Sequence, residues 1–271
     1  MSLPLPSPTG TAIVTGASSG IGAEIARLLA SRGRGVTLVA RREDRLRALA
    51  DELTAARGIR AEVITADLTD ESSRTAIGEQ ITERGLAVDI LVNNAGLSTV
   101  GPVATGDVAK ELAMVRTDVE AVVHLTTMFL PGLVARGAGG ILNVASTAAF
   151  QPIPGQAGYG ASKAFVLSYS QAVRTELIGT GVSVTALCPG PVRTEFAEAA
   201  GFDADAAESA LPSFMWVTAT DVAKAAVDGL ETERAVVIPG TANRFSARAA
   251  YLTPRSLLLP FMAKQHPGLR D

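Results

Sequence analysis

Short apolar runs rich in β-branched residues alternate along this chain with longer segments of helical periodicity. Seven runs, each bounded by turn residues, have the length and composition of a strand. They are TAIVTG, GVTLVA, AEVITAD, VDILVNNAG, GGILNVAS, VSVTALCPG and RAVVIPG. The clearest helical segments are GAEIARLLASRG, REDRLRALADELTAARG and ESSRTAIGEQITERG, and each ends at a glycine. Continuously apolar strands separated by helices predict an α/β fold, with a mostly parallel seven-stranded sheet covered on both faces.

Two segments depart from this rhythm. Residues 191–217, PVRTEFAEAAGFDADAAESALPSFMWV, follow the sixth predicted strand, and residues 241–271 follow the seventh. No linker, internal repeat or low-complexity tract divides the rest of the chain. We therefore expect a single domain over residues 1–271, with an added segment at about 191–217 and a C-terminal extension at about 241–271.

Composition narrows the ligands that such a domain can bind. The chain has 271 residues, 47% hydrophobic content and a net charge of −3 without any block of like charges. The single cysteine, Cys188, excludes an intrachain disulfide, and two histidines, His124 and His266, give little basis for a metal site. We expect a small-molecule ligand, with no nucleic acid partner and no bound metal.

The two ends of the chain bear on membrane contact. The N-terminus, MSLPLPSPTG, has no basic n-region and no apolar h-region, and no run of eighteen apolar residues occurs. We expect a cytoplasmic protein without a transmembrane segment. The C-terminal extension combines basic residues with LLLPFMA, which permits peripheral membrane contact, but Pro254 and Pro260 favour packing onto the body or a partner subunit.

The segment TGASSGIG, residues 15–22, joins the first predicted strand to the first helix. Glycine at position 16 permits a tight turn, and glycines at 20 and 22 let the backbone approach a pyrophosphate at the helix N-terminus. Its place between a strand and a helix favours a dinucleotide site over an ordinary turn. The predicted contacts are Gly16, Ser18, Ser19, Gly20, Ile21 and Gly22.

The end of the second strand, LVARRED, indicates which dinucleotide is preferred. An NAD enzyme carries an acidic residue near this point for the ribose hydroxyl, whereas this chain has Ala40 followed by Arg41 and Arg42. Guanidinium groups bind a 2′-phosphate through charge-assisted hydrogen bonds, which favours NADP(H) over NAD(H). Alternatively, both arginines are solvated residues ahead of a helix whose first turn carries Glu43 and Asp44.

Two more strand ends lie on the same predicted edge of the sheet, where ligands of open α/β sheets bind. In ADL, we expect Asp67 and Leu68 beside the adenine, although Asp67 equally suits a helix cap. In NNAG, the residues expected to form the floor and the cofactor contacts are Asn93, Asn94, Ala95 and Gly96.

The motif YGASK places Tyr159 and Lys163 four residues apart, on one face of a helix. A nearby ammonium favours the phenolate of a tyrosine, whose ordinary pKa is about 10. The tyrosine can then accept a proton from an alcohol or, in reverse, donate one to a carbonyl oxygen as hydride arrives. Ser146, at a predicted strand end, is suited to hydrogen-bond that oxygen. The alternative is a surface tyrosine beside a snorkelling lysine.

Five features of the sequence have a shared order and spacing: TGASSGIG, NNAG, Ser146, YGASK and CPGPVRTEF. Their order and approximate spacing are those of the short-chain dehydrogenase/reductase family, which the chain resembles from residue 11 to about 240. The resemblance implies a Rossmann-type sheet, hydride transfer between NAD(P) and an alcohol or carbonyl, and a homodimer or homotetramer formed by helices around 105–130 and 158–178. It implies catalysis by Ser146, Tyr159 and Lys163, with Lys163 also binding the nicotinamide ribose. The nicotinamide contacts that it implies are Pro189, Gly190, Val192 and Thr194.

One position departs from the family pattern. Where the family commonly has an asparagine that relays protons from the lysine to solvent, the segment MVRTDVEAV places Asp118. A carboxylate cannot donate a hydrogen bond as an amide does, although it can hold a water near Lys163. We expect activity to be retained with an altered pH dependence, and a subunit contact or a helix kink at Asp118 stays open.

Two other functions compete with this interpretation. The letters GASSG match the G-x-S-x-G elbow of serine hydrolases, with Ser18 as nucleophile and only His124 or His266 as a base. His124 falls inside an apolar helical pattern, where a packed histidine is the simpler interpretation. The second rival is a non-catalytic nucleotide-binding regulator, which Asp118 alone favours.

The 191–217 segment is expected to form a lid over the substrate, because it follows the nicotinamide contacts. Its apolar side chains predict a hydrophobic ketone, aldehyde or alcohol, although they can equally be ordinary core. The residues expected to line this wall are Phe196, Phe202, Leu211, Phe214, Met215 and Trp216.

Overall fold

A computed structural model describes residues 3–201, 212–265 and 269 of the chain. All seven predicted strands are present: β1 (Gly10–Thr15), β2 (Val36–Ala40), β3 (Ala61–Thr65), β4 (Ala87–Asn93), β5 (Gly139–Val144), β6 (Val182–Leu187) and β7 (Val236–Val237). They form one sheet in the order β3-β2-β1-β4-β5-β6-β7, and every neighbouring pair is parallel. The Rossmann-type fold expected from the sequence is confirmed.

Helices cover both faces of this sheet. They are α1 (Gly20–Ser31), α2 (Glu43–Arg57), α3 (Glu71–Glu83), α4 (Val108–Val115), α5 (Ala121–Arg136), α6 (Ala157–Glu176), α7 (Phe196–Ala199), α8 (Ala219–Glu231), α9 (Thr241–Leu252) and α10 (Arg255–Gln265). Helices α1, α2 and α8 share a core with one face, and α3, α5 and α6 with the other. Strand β1 shows why its sequence is continuously apolar: Ala12 and Val14 point into the first core and Ile13 into the second.

The order of the strands locates the ligand crevice. From β1 the chain runs outward to β2 and β3, and then returns to β4 on the opposite side of β1. The loops after β1 and β4 therefore diverge at the carboxyl edge of the sheet and leave a crevice between them. The loops that follow β2, β3, β5 and β6 end at the same edge.

The two ends of the predicted 191–217 segment are held together. The Val217 N–H donates to the Pro191 carbonyl at 3.1 Å, and Val192 forms a parallel bridge with Val217. From the C-terminal extension, the buried Asn243 of α9 donates its amide to the Met215 carbonyl at 2.9 Å. Helix α9 of the C-terminal extension is therefore hydrogen-bonded to the end of the 191–217 segment.

One long helix among the described residues, Val108–Arg136, is apolar enough to cross a membrane by length and composition alone. It comprises α4, a π-helical turn at Arg116–Glu120 and α5. Leu125 and Leu133 of this helix are buried in the core beside the sheet, whereas Val108, Leu112, Val115 and Val134 are exposed. The absence of a transmembrane segment stays an expectation.

Candidate active site

The glycine-rich turn at the end of β1 has no room for side chains. Gly16 and Gly20 have φ angles of 66° and 56°, a region that favours glycine. A Cβ on Gly22 would lie 2.5 Å from the Gly16 carbonyl oxygen, so α1 begins directly against the turn. The N-cap residue Ser19 makes no side-chain cap bond, and the first turn of α1 has no acidic residue. The turn therefore fits a phosphate bound by backbone N–H groups and the helix dipole.

Thr15, which the sequence analysis did not single out, joins the glycine turn to the NNAG loop. Its Oγ1 accepts hydrogen bonds from the N–H groups of Asn94 and Ala95, at 2.9 and 3.0 Å. The Asn94 amide returns a bond to the Thr15 carbonyl at 2.8 Å. The predicted contacts Asn94 and Ala95 thus lie beside the turn. A threonine at a strand end directly before the first glycine was the available signal.

Asn93, by contrast, faces the interior of the sheet rather than the crevice. Its Nδ2 donates to Asn143 Oδ1 at 2.9 Å and to Thr126 Oγ1 at 3.2 Å, and Asn143 donates onward to Ser170 at 3.0 Å. These buried bonds tie β4 and β5 to α5 and α6. The side chain of Asn93 therefore has a structural role in place of the predicted floor.

Of the two predicted arginines, Arg42 reaches the glycine turn. Its Nε and Nη2 lie 3.2 and 3.1 Å from Ser18 Oγ, and Nη2 lies 2.7 Å from Ser19 Oγ. Arg41 is exposed and has no hydrogen bond or ion pair to another described residue, so its contact with a 2′-phosphate stays a prediction. The interpretation of both arginines as merely solvated does not hold for Arg42.

Glu195 and Arg45 complete this cluster, and neither was predicted. The Glu195 carboxylate lies 2.8 Å from Arg42 Nη1 and 2.7 Å from Arg45 Nη1. Hydrogen bonds from Arg42 and then Arg45 lower the pKa of Glu195 to about 2. We call Arg42, Arg45 and Glu195 the Glu195 cluster.

The loop after β3 has a turn at Asp67. The Asp67 carboxylate accepts bonds from the N–H and hydroxyl of Thr69, at 3.0 and 2.9 Å. The cap of α3 is Asp70, which accepts from the Ser73 N–H at 2.8 Å. Asp67 is therefore not the helix cap considered from the sequence. It is exposed at the carboxyl edge with the buried Leu68 beside it, and their adenine contacts stay predictions.

Ser146 is positioned by an extension of the sheet beyond β5. The Ala145 N–H donates to the Leu187 carbonyl at 2.7 Å, and the Thr147 N–H donates to the Pro189 carbonyl at 2.8 Å. Ser146 lies between these bonds, its Oγ accepts the Ala148 N–H at 3.1 Å, and it is close enough to the Tyr159 hydroxyl to lower the pKa of the tyrosine. The predicted serine and tyrosine are thus together at the carboxyl edge.

Tyr159 and Lys163 share the inner face of α6. The Lys163 Nζ lies 5.6 Å from the centroid of the Tyr159 ring and donates to the Val144 carbonyl at 3.2 Å. Lys163 is only 4% exposed, so the interpretation as a surface tyrosine with a snorkelling lysine is wrong.

Asp118 completes this group from the π-helical turn between α4 and α5. Its Oδ2 lies 3.0 Å from Lys163 Nζ, and its Oδ1 accepts the Leu97 N–H at 2.7 Å. The carboxylate is fully buried, and Gly96 lies against both charged groups, since a Cβ there would be 3.2 Å from Nζ. Asp118 lies in a π turn, a feature frequent at functional sites.

Burial and the neighbouring charges act on Tyr159 in opposite directions. Burial raises the pKa of Tyr159 above its ordinary value, the Lys163 ammonium and the Ser146 bond lower it, and the Asp118 carboxylate raises it; the net direction is upward. Burial, the largest single influence, disfavours the Lys163 ammonium, but Asp118, Tyr159 and Cys188 together outweigh it, so the pKa of Lys163 is raised. The pair therefore keeps the lysine protonated and the tyrosine neutral.

The predicted nicotinamide contacts follow β6 at the same edge. Gly190 lies so close to the Asn243 side chain that no Cβ fits there, and a Cβ on Gly20 would lie 3.2 Å from Thr194 Cγ2. Thr194 therefore crosses over the glycine turn, with Pro189 beside Ser146 as described above. Asn243 was missed because it lies in the C-terminal extension, outside every recognised motif.

The predicted apolar wall is partly in place. The Phe196 ring lies 5.9 Å from the Tyr159 ring, centroid to centroid. Met215 and Trp216 are half-buried, whereas Phe214 is 73% exposed. The remaining two wall residues, Phe202 and Leu211, lie outside the described residues.

The serine hydrolase alternative finds no support in these contacts. Ser18 is bonded to a guanidinium, which cannot serve as a general base. His124 accepts a bond from Arg74 Nε at 3.2 Å between α5 and α3, as a packed histidine would, and His266 lies outside the described residues. Burial raises the pKa of the Cys188 thiol to about 12, so it is no nucleophile either. Within the described ranges, no group of three or more His, Cys, Asp or Glu side chains could hold a metal ion.

Comparison with known proteins agrees with this geometry. The sequence model of the short chain dehydrogenase family matches residues 10–204. The chain therefore belongs to the short-chain dehydrogenase/reductase family of oxidoreductases.

Three proteins illustrate what this chain is similar to. Sulfoacetaldehyde reductase 2 of Chromohalobacter salexigens is 40% identical over 68% of this chain and 73% of its own length. A short-chain dehydrogenase from Sphingobium yanoikuyae, solved in complex with NADPH, is 34% identical with a TM-score of 0.80, and the match covers 93% of this chain and 95% of that one. A short-chain dehydrogenase/reductase from Burkholderia phymatum, solved in complex with NAD, is 26% identical with a TM-score of 0.78, over 88% and 92% of the two chains.

Proposed function

We propose that this protein is an NADP-dependent oxidoreductase that transfers a hydride between the nicotinamide and a carbonyl or alcohol, and that it favours reduction of a hydrophobic ketone or aldehyde. The observation that carries the proposal is the arrangement of Ser146, Tyr159 and Lys163 beside the glycine turn. Ser146 is close enough to the Tyr159 hydroxyl to lower its pKa, and the centroid of the Tyr159 ring lies 5.6 Å from Lys163 Nζ.

The residues at the crevice fit a dinucleotide. The glycine turn and the first turn of α1 would hold its pyrophosphate, and Arg42, with Arg41 beside it in sequence, would hold a 2′-phosphate. Lys163 would bind the nicotinamide ribose, with Gly190, Val192 and Thr194 near the nicotinamide. The bound cofactor supplies the hydride. The Sphingobium yanoikuyae relative was solved with NADPH, which supports the choice of NADP(H), whereas the Burkholderia phymatum relative was solved with NAD. Because similar proteins bind either dinucleotide, the choice for this chain rests on Arg42.

In reduction, Ser146 and Tyr159 both hydrogen-bond the carbonyl oxygen of the substrate. As hydride reaches the carbonyl carbon, the Tyr159 O–H bond breaks and its proton forms the new O–H bond of the alcohol. Lys163 stabilises the phenolate that remains, and a proton from solvent then restores the phenol. Alcohol oxidation follows the same path in reverse.

Asp118 adds to the influences that keep Tyr159 protonated, the form that reduction requires. Its carboxylate lies 3.0 Å from the Lys163 ammonium and offsets the positive charge that would otherwise favour the phenolate. The pKa of Tyr159 is therefore raised, first by burial and also by Asp118, and the tyrosine is a proton donor at neutral pH. Phe196 beside Tyr159, together with Met215 and Trp216, supports an apolar substrate.

We also propose that the protein is a cytoplasmic homodimer or homotetramer. Apolar residues on the outer faces of α4, α5 and α6 are exposed, which suits an interface between copies of the chain. They are Val108, Leu112, Val115, Val134 and Phe165. Light scattering during size-exclusion chromatography measures the assembly directly.

The test has two parts. Titrations of NADPH and NADH, followed by fluorescence, are compared for the parent protein and the single variants Arg41→Ala and Arg42→Ala. We expect tighter binding of NADPH that weakens selectively in Arg42→Ala. With NADPH and a panel of apolar ketones and aldehydes, Tyr159→Phe is expected to lose roughly 10²- to 10⁴-fold in kcat while NADPH still binds. Binding of neither dinucleotide by the parent, or full activity of Tyr159→Phe, would contradict the proposal.

A further inference from the structure

Glu195 connects two parts of the molecule that are far apart in sequence. Its carboxylate binds Arg42 Nη1 at 2.8 Å and Arg45 Nη1 at 2.7 and 3.0 Å. The arginines lie at the start of α2, whereas Glu195 lies in the 191–199 segment that follows β6. One exposed carboxylate therefore attaches this segment to the edge where a 2′-phosphate would bind.

The same segment runs from the glycine turn to the proposed catalytic tyrosine. Thr194 packs over Gly20, and the Phe196 ring lies 5.9 Å from the Tyr159 ring. Glu195 stands between these two contacts in the sequence. What Glu195 binds therefore affects a segment that covers both the cofactor turn and the active site.

Four of the five N–H groups of the Arg42 guanidinium are engaged. Its Nε and Nη2 bond Ser18 and Ser19, and its Nη1 bonds Glu195. A phosphate that binds Arg42 either takes the remaining Nη1 N–H, next to Glu195, or displaces one of these acceptors, and it carries a charge near −2 beside the Glu195 carboxylate. Two anions on one guanidinium repel each other, whichever N–H group the phosphate takes.

We propose that Glu195 is a specificity-determining residue, whose carboxylate competes with the 2′-phosphate of NADPH for Arg42 and Arg45. This inference rests on the proposed function, since it takes the NADP site to be at Arg42. Glu195 lowers the affinity for NADPH and leaves the affinity for NADH unchanged. By reciprocity, a bound 2′-phosphate weakens the attachment of the 191–199 segment by the same factor.

The charge of Glu195 persists under all ordinary conditions. Bonds from Arg42 and Arg45 lower its pKa to about 2, so the carboxylate stays ionised from weakly acidic to alkaline pH. A competing anion, rather than protonation, is therefore what releases the segment.

The binding test uses Glu195→Gln and a matched control, Glu198→Gln. Both variants remove one negative charge from the same segment, but Glu198 is exposed and lies outside the Glu195 cluster. With NADPH, NADH and the fragment 2′,5′-ADP, we expect Glu195→Gln to bind NADPH and 2′,5′-ADP roughly three- to ten-fold more tightly than the parent, because exposed pairs contribute modestly. NADH affinity, and all affinities of Glu198→Gln, are expected to stay within about two-fold of the parent.

A second readout needs no nicotinamide. Arg193 is the only Lys or Arg between Arg174 and Lys224, so trypsin cleavage after it reports on the segment. We expect faster cleavage in Glu195→Gln than in the parent or Glu198→Gln, and we expect saturating 2′,5′-ADP to accelerate cleavage of the parent and of Glu198→Gln but not of Glu195→Gln.

The outcomes separate the inference from the function on which it rests. Equal or weaker NADPH binding by Glu195→Gln, or an equal gain for NADH, would overturn the role of Glu195 while leaving the oxidoreductase proposal intact. Failure of the parent to bind either dinucleotide would overturn the proposed function and, with it, the competition. Equal cleavage rates in parent and Glu195→Gln would overturn the attachment itself.

Discussion

Two pairings of a carboxylate with basic side chains border the proposed cofactor site, and they differ in burial. The Asp118 and Lys163 side chains are 0% and 5% exposed, whereas Glu195 and Arg42 are 49% and 42% exposed. A buried pair cannot exchange its partner for water without a large desolvation cost. An exposed pair exchanges partners readily and is screened by salt. Burial therefore makes the first pairing a permanent part of the active site and the second a contact that a ligand can replace.

Removal of the buried cation, Lys163, should have the largest effect of the changes considered, and it should act on stability. Lys163→Met leaves the Asp118 carboxylate buried without its ion-pair partner, and we expect a loss of about 3–5 kcal/mol in the free energy of unfolding at pH 8. The double variant Lys163→Met/Asp118→Asn should recover most of this loss, because no buried charge remains. Urea unfolding measures both.

The pH dependence of that loss gives a sharper form of the test. Burial raises the pKa of Asp118 above its unfolded value, and the Lys163 ammonium, which opposes this, is gone in the variant. A raised pKa in the folded state means that stability is retained below the unfolded pKa, near 3.9, and is lost as the pH rises through the folded pKa. The single and double variants should therefore converge in stability towards pH 4. Equal stability of the two at pH 8 would refute the cost assigned to the buried charge.

Asp118→Asn should shift the pH dependence of catalysis. Because the Asp118 carboxylate raises the pKa of Tyr159, its removal lowers that pKa. Reduction requires the phenol, so the decline of kcat/KM with rising pH should begin at lower pH in the variant, and the rise of alcohol oxidation should move the same way. Glu120→Gln is the control, because Glu120 lies in the same π turn but is 51% exposed. Superimposable profiles of parent and Asp118→Asn would contradict the role given to this carboxylate.

The comparison also explains which features the sequence predicts. Tyr159 and Lys163 lie on one helix at i and i+4, so local geometry alone brings them together. The seven strands and the glycine turn follow equally from local patterns, apolar runs and glycine positions. Asp118 was found only because a family pattern marks its position, since nothing local directs a carboxylate towards Lys163.

The Glu195 cluster was not predictable in this way. Arg45 and Glu195 are 150 residues apart, and the segment that carries Glu195 has no strand or helix period to fix its direction. Asn243 was missed for a related reason, because it acts through backbone carbonyls that are recognisable only once the loops are folded. Thr15 differs, because its place directly before the first glycine was a signal in the sequence. The positions of irregular segments relative to one another are set by the folded sheet, so their contacts are not visible in the sequence. A motif within one helix or turn is visible there because its geometry is local.

The smallest expected effect concerns salt, which should separate the two pairings without any mutation at the buried site. Raising NaCl from 0.05 to 0.5 M shortens the Debye length from roughly 14 to 4 Å and should weaken the exposed Glu195 cluster.

We expect trypsin cleavage after Arg193 in the parent to accelerate by roughly two- to five-fold towards the rate of Glu195→Gln. Cleavage of Glu195→Gln itself should depend little on salt, which controls for the response of trypsin. The position of the pH profile of kcat/KM, which reports on Asp118 and Lys163, should stay unchanged over the same range because salt screens a buried pair much less than an exposed one. A parallel salt response of parent and Glu195→Gln would mean that the exposed carboxylate does not hold the segment.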